Sequence, residues 1–170
     1  MVSLEKHPHL RSAAALAAFG GLTAAAAAIG ARATMQGKGP WYKALKKAPF
    51  NPPDWVFGPV WSVLYGAIAL SGWRVYKQPP SLRRTAALGL WGTQLGLNAL
   101  WSVIFFGEHK KRAALVDLGV LVGTVKAYMS VAKTVDPTAA TLMKPYLAWC
   151  GFAALLNEEI VRRNPGSDPS

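Results

Sequence analysis

The sequence predicts an all-α fold: an integral membrane bundle of five transmembrane helices. Three observations predict it. Charged residues crowd into short clusters, leaving between them five nearly uncharged stretches close to the roughly 20 residues that a membrane helix needs. The joints after the first are short, which makes those successive helices antiparallel neighbours. The 170 residues so divided form one membrane domain, 1–170, with nothing left for a soluble catalytic domain.

The first span is expected at about 12–31, an alanine-rich run whose Gly20 and Gly21 suit close packing against neighbours. Lys6 and Arg11 ahead of an apolar run with Ala-x-Ala patterns near 28–33 also read as a cleaved signal peptide, a rival the sequence leaves open. The second span, about 55–76, is entered through Pro49-Phe50-Asn51-Pro52-Pro53-Asp54, because prolines suit a segment whose first amides lack helical partners. Inside it Phe57, Trp61 and Tyr65 follow at i, i+4 and i+8 and stack on one helical face, a wall suited to a large, flat, apolar ligand.

The third span, about 85–106, places Gln94, Asn98 and Trp101 on one face, with Trp91 a heptad before Asn98. Amides are costly in hydrocarbon unless hydrogen-bonded, so this face should look into the bundle, towards either a ligand's polar edge or neighbouring helices. Gly92 and Gly96 form a Gly-x-x-x-Gly pair fit for a close helix contact within the chain or at a dimer seam. In the fourth span, about 113–135, Asp117 and Lys126 lie on opposite sides of the helix, and each is expected to snorkel to an interface. An Asp136-Pro137 turn leads to the fifth, about 139–161. There Trp149, Ala153 and Asn157 share a face, and the small Ala153 beneath an indole leaves a slot for a flat ring. Glu158 and Glu159 beside Arg162 and Arg163 read as a solvated helix end.

An apolar share of 52% and a net charge of +11 are compatible with nucleic acid or anionic lipid as partner. The basic residues flank apolar segments, which favours membrane lipid and argues against nucleic acid. Cys150 is the single cysteine, and His7, His9 and His109 lie outside the long apolar stretches, so no metal site or cofactor is expected. No nucleophile elbow, phosphate loop or carboxylate pair at a shared depth is present, hence no acid–base catalytic site. Lys and Arg number eight on the N-terminal side (residues 6, 11, 74, 77, 83, 84, 133 and 144) and ten on the other, a slight lean towards a cytoplasmic C-terminus.

Four motifs in order resemble the translocator protein, or tryptophan-rich sensory protein (TspO/MBR), family, formerly the peripheral benzodiazepine receptors. They are Trp41-Tyr42-x-x-Leu45; Pro52-Pro53-x-Trp55-x-Phe57-Gly58-Pro59-x-Trp61-x-x-x-Tyr65; Gln94-Leu95-x-Leu97-Asn98-x-x-Trp101-Ser102-x-x-Phe105-Phe106-Gly107; and Pro145-Tyr146-Leu147-x-Trp149-x-x-Phe152-Ala153-x-x-Leu156-Asn157. The resemblance runs from about Trp41 to Asn164. It implies a five-helix membrane protein, commonly a homodimer, with a pocket beneath the long first loop that takes porphyrins such as protoporphyrin IX, sterols and benzodiazepine-site ligands. The pocket positions it carries over are Trp61, Asn98, Trp101, Trp149 and Ala153; with the motif and aromatic-face residues the candidate ligand-binding set becomes Trp41, Phe57, Trp61, Tyr65, Gln94, Asn98, Trp101, Phe105, Tyr146, Trp149, Ala153 and Asn157. The family's membranes are a bacterial envelope membrane or the mitochondrial outer membrane.

The resemblance also implies a rival, enzymatic reading, light- or oxygen-dependent porphyrin breakdown in which Trp61 and Trp149 take part; oxidisable indoles that stack on macrocycles suit it. A transporter is the third reading. The receptor or carrier reading is preferred, with ligand propionates meeting Lys38, Lys43, Lys46 or Lys47 of the first loop. The animal sterol motif at the end of the fifth helix is missing its tyrosine here, since Leu155-Leu156-Asn157-Glu158-Glu159-Ile160-Val161-Arg162 has two acids instead; a formal match survives at Val125, Tyr128 and Lys133.

Overall fold

The computed structural model describes residues 8–166, whose regular secondary structure is all helical, without a strand. Helix α1 spans Pro8–Gly37, α2 Pro40–Ala44, α3 Asp54–Tyr76, α4 Leu82–Ser102, α5 Lys111–Lys133, α6 Pro137–Leu142 and α7 Lys144–Arg163; a π-helical turn, Val103–Gly107, extends α4. Lys6 and His7 lie outside the described residues. The first expected span is longer than the sequence reading, running continuously past residue 31 to Gly37. The fifth is divided at Met143 into the short α6 and the long α7.

Helix ends follow local chemistry. Pro40, Pro137 and Pro145 occupy first-turn positions where a missing N–H costs nothing. The Ser81 hydroxyl accepts from the Arg84 N–H at 3.1 Å to cap α4. The Asp136 carboxylate accepts from the Ala139 N–H at 2.9 Å to cap α6, and Arg74 Nη2 reaches it at 3.1 Å. Asp54 opens α3 and Arg74 lies in its last turn, each at the end its charge favours.

Among the described residues four segments are long and apolar enough to cross a membrane: His9–Gly37, Asp54–Tyr76, Lys111–Lys133 and Pro137–Arg163. Helix α4 is as long as α7 but is not among them, because Thr93, Gln94 and Asn98 interrupt its apolar run. Those amides point inward: Gln94 is fully buried and Asn98 nearly so. Helix α4 packs between α1 and α5, while α5 meets α7, and α6 closes against α3. The Trp91 indole donates to Ile68 O at 2.9 Å, and the Trp73 indole donates to Ser12 O at 2.9 Å, fastening α3 to α4 and α1.

Several expectations are corrected. Gly20 and Gly21 have no neighbour near a built Cβ; the close approaches of α1 fall instead at Gly30, against Ser102, and at Gly37, where a Cβ would lie 2.1 Å from Phe106 O. Gly92 and Gly96 likewise face open space, so they make no close contact within the chain. Asp117 does not snorkel: it is buried in the packed part of α5, while Lys126 is exposed. Val125 and Tyr128 of the formal sterol match are fully buried, and the Tyr128 hydroxyl shares a 2.7 Å hydrogen bond with Ser71 Oγ, so that pair presents nothing to lipid.

Candidate functional site: an aromatic cavity beneath the first loop

A cavity of about 350 Å³ lies beneath the 38–53 loop, at the lower end of the about 300–1,000 Å³ usual for small-molecule sites. Each helix supplies the face that its spacing dictates. Helix α3 gives Phe57, Trp61 and Tyr65; α7 gives Trp149, Ala153 and Asn157 with Cys150, Leu156 and Ile160. Helix α4 and its π turn give Asn98, Trp101, Ser102, Phe105 and Phe106, and α5 gives Leu118 and Leu121. The α1 wall is Ala27, Gly30, Ala31, Thr34 and Met35, and all of these but Met35 are small and leave room.

The aromatic side is tightly ordered. Trp61 stacks on Tyr65 with centroids 5.1 Å apart and meets Trp149 edge-on at 6.5 Å; Phe57 contacts Trp149 edge-on at 5.7 Å. Across the cavity Trp101 stacks on Phe105 at 5.2 Å. The π turn brings this about: an extra residue per turn lets consecutive Phe105 and Phe106 both bury.

Polar groups form two short relays. The Tyr65 hydroxyl donates to Asn98 Oδ1 at 2.9 Å. The Trp101 indole donates to Asn157 Oδ1 at 3.1 Å, and Asn157 Nδ2 donates to Lys111 O at 3.0 Å. Both asparagines therefore bond to neighbouring helices and line the cavity at once. At the mouth Lys38 lines the cavity and pairs with Asp54 at 2.8 Å, while Lys47 Nζ sits 4.0 Å from the centre of the Tyr42 ring. Burial, with the Asp54 charge adding to it, pushes the Tyr42 hydroxyl above its ordinary value and keeps it protonated.

Nine of the twelve candidate residues line the cavity: Phe57, Trp61, Tyr65, Asn98, Trp101, Phe105, Trp149, Ala153 and Asn157. Three do not. Trp41 stacks on His109 at 4.2 Å, one layer behind Phe105. Tyr146 is fully buried behind Trp61, with centroids 6.3 Å apart. Gln94 is fully buried on α4 outside the lining. Of the four loop lysines only Lys38 reaches the cavity; Lys43 and Lys46 are exposed. The sequence reading missed the α1 wall, Tyr42 and Cys150; Cys150 sits one turn beyond Tyr146, a spacing that could have flagged it. Among the described residues no three His, Cys, Asp or Glu side chains cluster as a metal site requires.

Residues 18–163 match the family model described as the TspO/MBR family. The chain belongs to the TspO/MBR family. Similar TspO/MBR proteins include the human "Translocator protein", 41% identical over 128 residues that cover 74% of this chain and 76% of the human one. "Protein CrtK" of Rhodobacter capsulatus is 35% identical over 147 residues, 85% of this chain and 91% of its own. "Tryptophan-rich protein TspO" of Chlorobaculum tepidum is 34% identical over 132 residues, 74% and 80%. With these relatives and several membrane-capable helices, the chain is an integral membrane protein of the TspO/MBR family.

Proposed function

We propose that this TspO/MBR protein is a receptor or carrier for porphyrins of the protoporphyrin IX type, working in tetrapyrrole handling or stress sensing. The observation that carries the reading is the pairing of Trp61 and Trp149 at one wall of a mostly apolar cavity. Indole faces hold planar macrocycles well. Lys38 at the mouth is the cation placed to meet a propionate, exchanging its Asp54 partner for the ligand's carboxylate. The polar helix α4 is the fifth span, its amides sheltered by α1 and α5. The working unit is a homodimer; Gly92 and Gly96, with open space at their Cβ positions, suit a second copy. Sterols are the lesser ligand class, since Tyr128 is committed to the core.

The test is titration of the detergent-purified protein with protoporphyrin IX, read by tryptophan fluorescence in the dark and then under illumination. Saturable quenching with an unchanged porphyrin spectrum supports the receptor or carrier. Absence of saturable quenching overturns the porphyrin reading. The second reading, light-dependent porphyrin breakdown, draws on the same two indoles at the cavity wall; loss of the Soret band on illumination, abolished by Trp61→Phe, would favour it.

A further inference from the structure

The roof of the cavity is the 38–53 loop, which carries α2 and presents Tyr42 to the cavity. Between Leu45 and Pro53 this loop has no regular secondary structure beyond a turn at residues 49–50, so ladder hydrogen bonds do not fix it. Its backbone is read instead by one side chain 118 residues away. The Lys46 N–H donates to Asn164 Oδ1 at 2.9 Å, and Asn164 Nδ2 donates to Lys46 O at 3.0 Å. Both polar groups of a single peptide position are thus held, as a neighbouring β-strand would hold them.

Asn164 is itself firmly placed. It caps α7, with its N–H donating to Ile160 O at 3.1 Å and Nδ2 also donating to that carbonyl at 2.8 Å. Ile160 belongs to the small apolar cluster under the roof, together with Tyr42, Leu45, Phe105 and Phe106. The loop is also tied by the half-exposed Lys38–Asp54 pair, a kind of contact that contributes about 0–1 kcal/mol, and by the Asn51 N–H donating to Ala48 O at 3.0 Å. Of these ties only the Asn164 side chain holds the loop to α7. Asn164 does not line the cavity.

We infer that Asn164 is a positioning residue that clasps the roof over the cavity and so sets how fast ligand enters and leaves. This rests on the cavity being the ligand site proposed above. A clasp outside the cavity leaves the bound ligand's contacts intact. Loosening it raises the open population of the free and bound protein alike, so both rates rise together while Kd moves little.

The experiment uses the full chain and two variants that cut the clasp from opposite sides. Asn164→Ala removes the side chain; Lys46→Pro removes the loop's N–H, at a site preceded by Leu45 in an extended backbone (φ −66°, ψ 132°) that accepts a following proline. Hydrogen exchange in the ligand-free protein is measured at the Lys46 amide in Asn164→Ala and at the neighbouring loop amides in both variants. Protoporphyrin IX association and dissociation are followed by stopped-flow quenching. Loss of about one net hydrogen bond should speed the exchange and both ligand rates about tenfold, with Kd within about threefold of the unmodified protein. Unchanged loop exchange in both variants overturns the clasp. Faster exchange with unchanged ligand rates overturns its control of ligand traffic. If the unmodified protein shows no saturable quenching, the porphyrin reading fails instead, and the ligand-free exchange decides the clasp by itself.

Discussion

Gly72 on α3 presents bare backbone to the Trp91 indole on α4: a Cβ at Gly72 would lie 2.6 Å from two of the ring's atoms and 2.7 Å from Phe19. Trp91 is buried and anchored by its bond to Ile68 O, so it cannot step aside. Gly72→Ala is therefore expected to destabilise the protein by about 1–3 kcal/mol, read as a lower melting temperature in detergent. The contrasting change is Gly92→Ala, which has open space and should gain about 0.5–1 kcal/mol from helix propensity in the monomer. If α4 is the seam of a homodimer, the same change lowers the dimer fraction in cross-linking or light scattering.

Removing the Asn157 side chain leaves the part-buried Trp101 indole N–H without its acceptor and takes one donor away from the Lys111 carbonyl. An unsatisfied buried group costs about 1–3 kcal/mol. Asn157→Ala should lower the melting temperature and weaken porphyrin binding together, whereas Glu158→Ala, at an exposed neighbour, should leave both unchanged.

At the aromatic wall, Trp61→Ala and Trp149→Ala each delete an indole that lines the cavity. Each is expected to weaken protoporphyrin IX binding by about 1–3 kcal/mol, roughly five- to 150-fold in Kd. Fluorescence titration checks this, and unchanged affinity in both variants would remove the pocket assignment.

The turn between α5 and α6 carries a pH dependence. Burial alone would raise the Asp136 pKa, but the Ala139 N–H, Arg74 and Gln78 outweigh it and hold the carboxyl below its ordinary value. A carboxylate depressed in the folded state contributes stability above its unfolded pKa and loses it as pH falls through the folded one. The melting temperature should thus drop below about pH 4, and Asp136→Asn should flatten that drop while costing about 1–3 kcal/mol at neutral pH.

How much of this was legible in the sequence depends on what a residue's size and period can signal. Phe57, Trp61 and Tyr65, or Trp149, Ala153 and Asn157, reveal their face because a four-residue repeat of large or polar groups fixes it. The α1 wall stayed hidden because alanines and glycines recur all around that helix, and none marks the side that meets Ser102 and Phe106. Gln94 and Asn98 share one face of α4, yet only Asn98 reaches the cavity; that difference comes from neighbouring helices, not from spacing. The π turn, which buries Phe105 and Phe106 together, has no local signature, and Asp117 is buried by tertiary packing where a lone helix would have let it snorkel.

The apolar interior is split in two, a large cluster among the long helices and a smaller one around Tyr42, Leu45 and Ile160, with Trp101 packed against both. Warming the empty protein should accordingly take it apart in stages, the upper cluster yielding first and the helices afterwards. A molecule seated against Trp101 would tie the two stages into one sharp transition, so occupancy would be written in the width of the melting curve as well as in its midpoint.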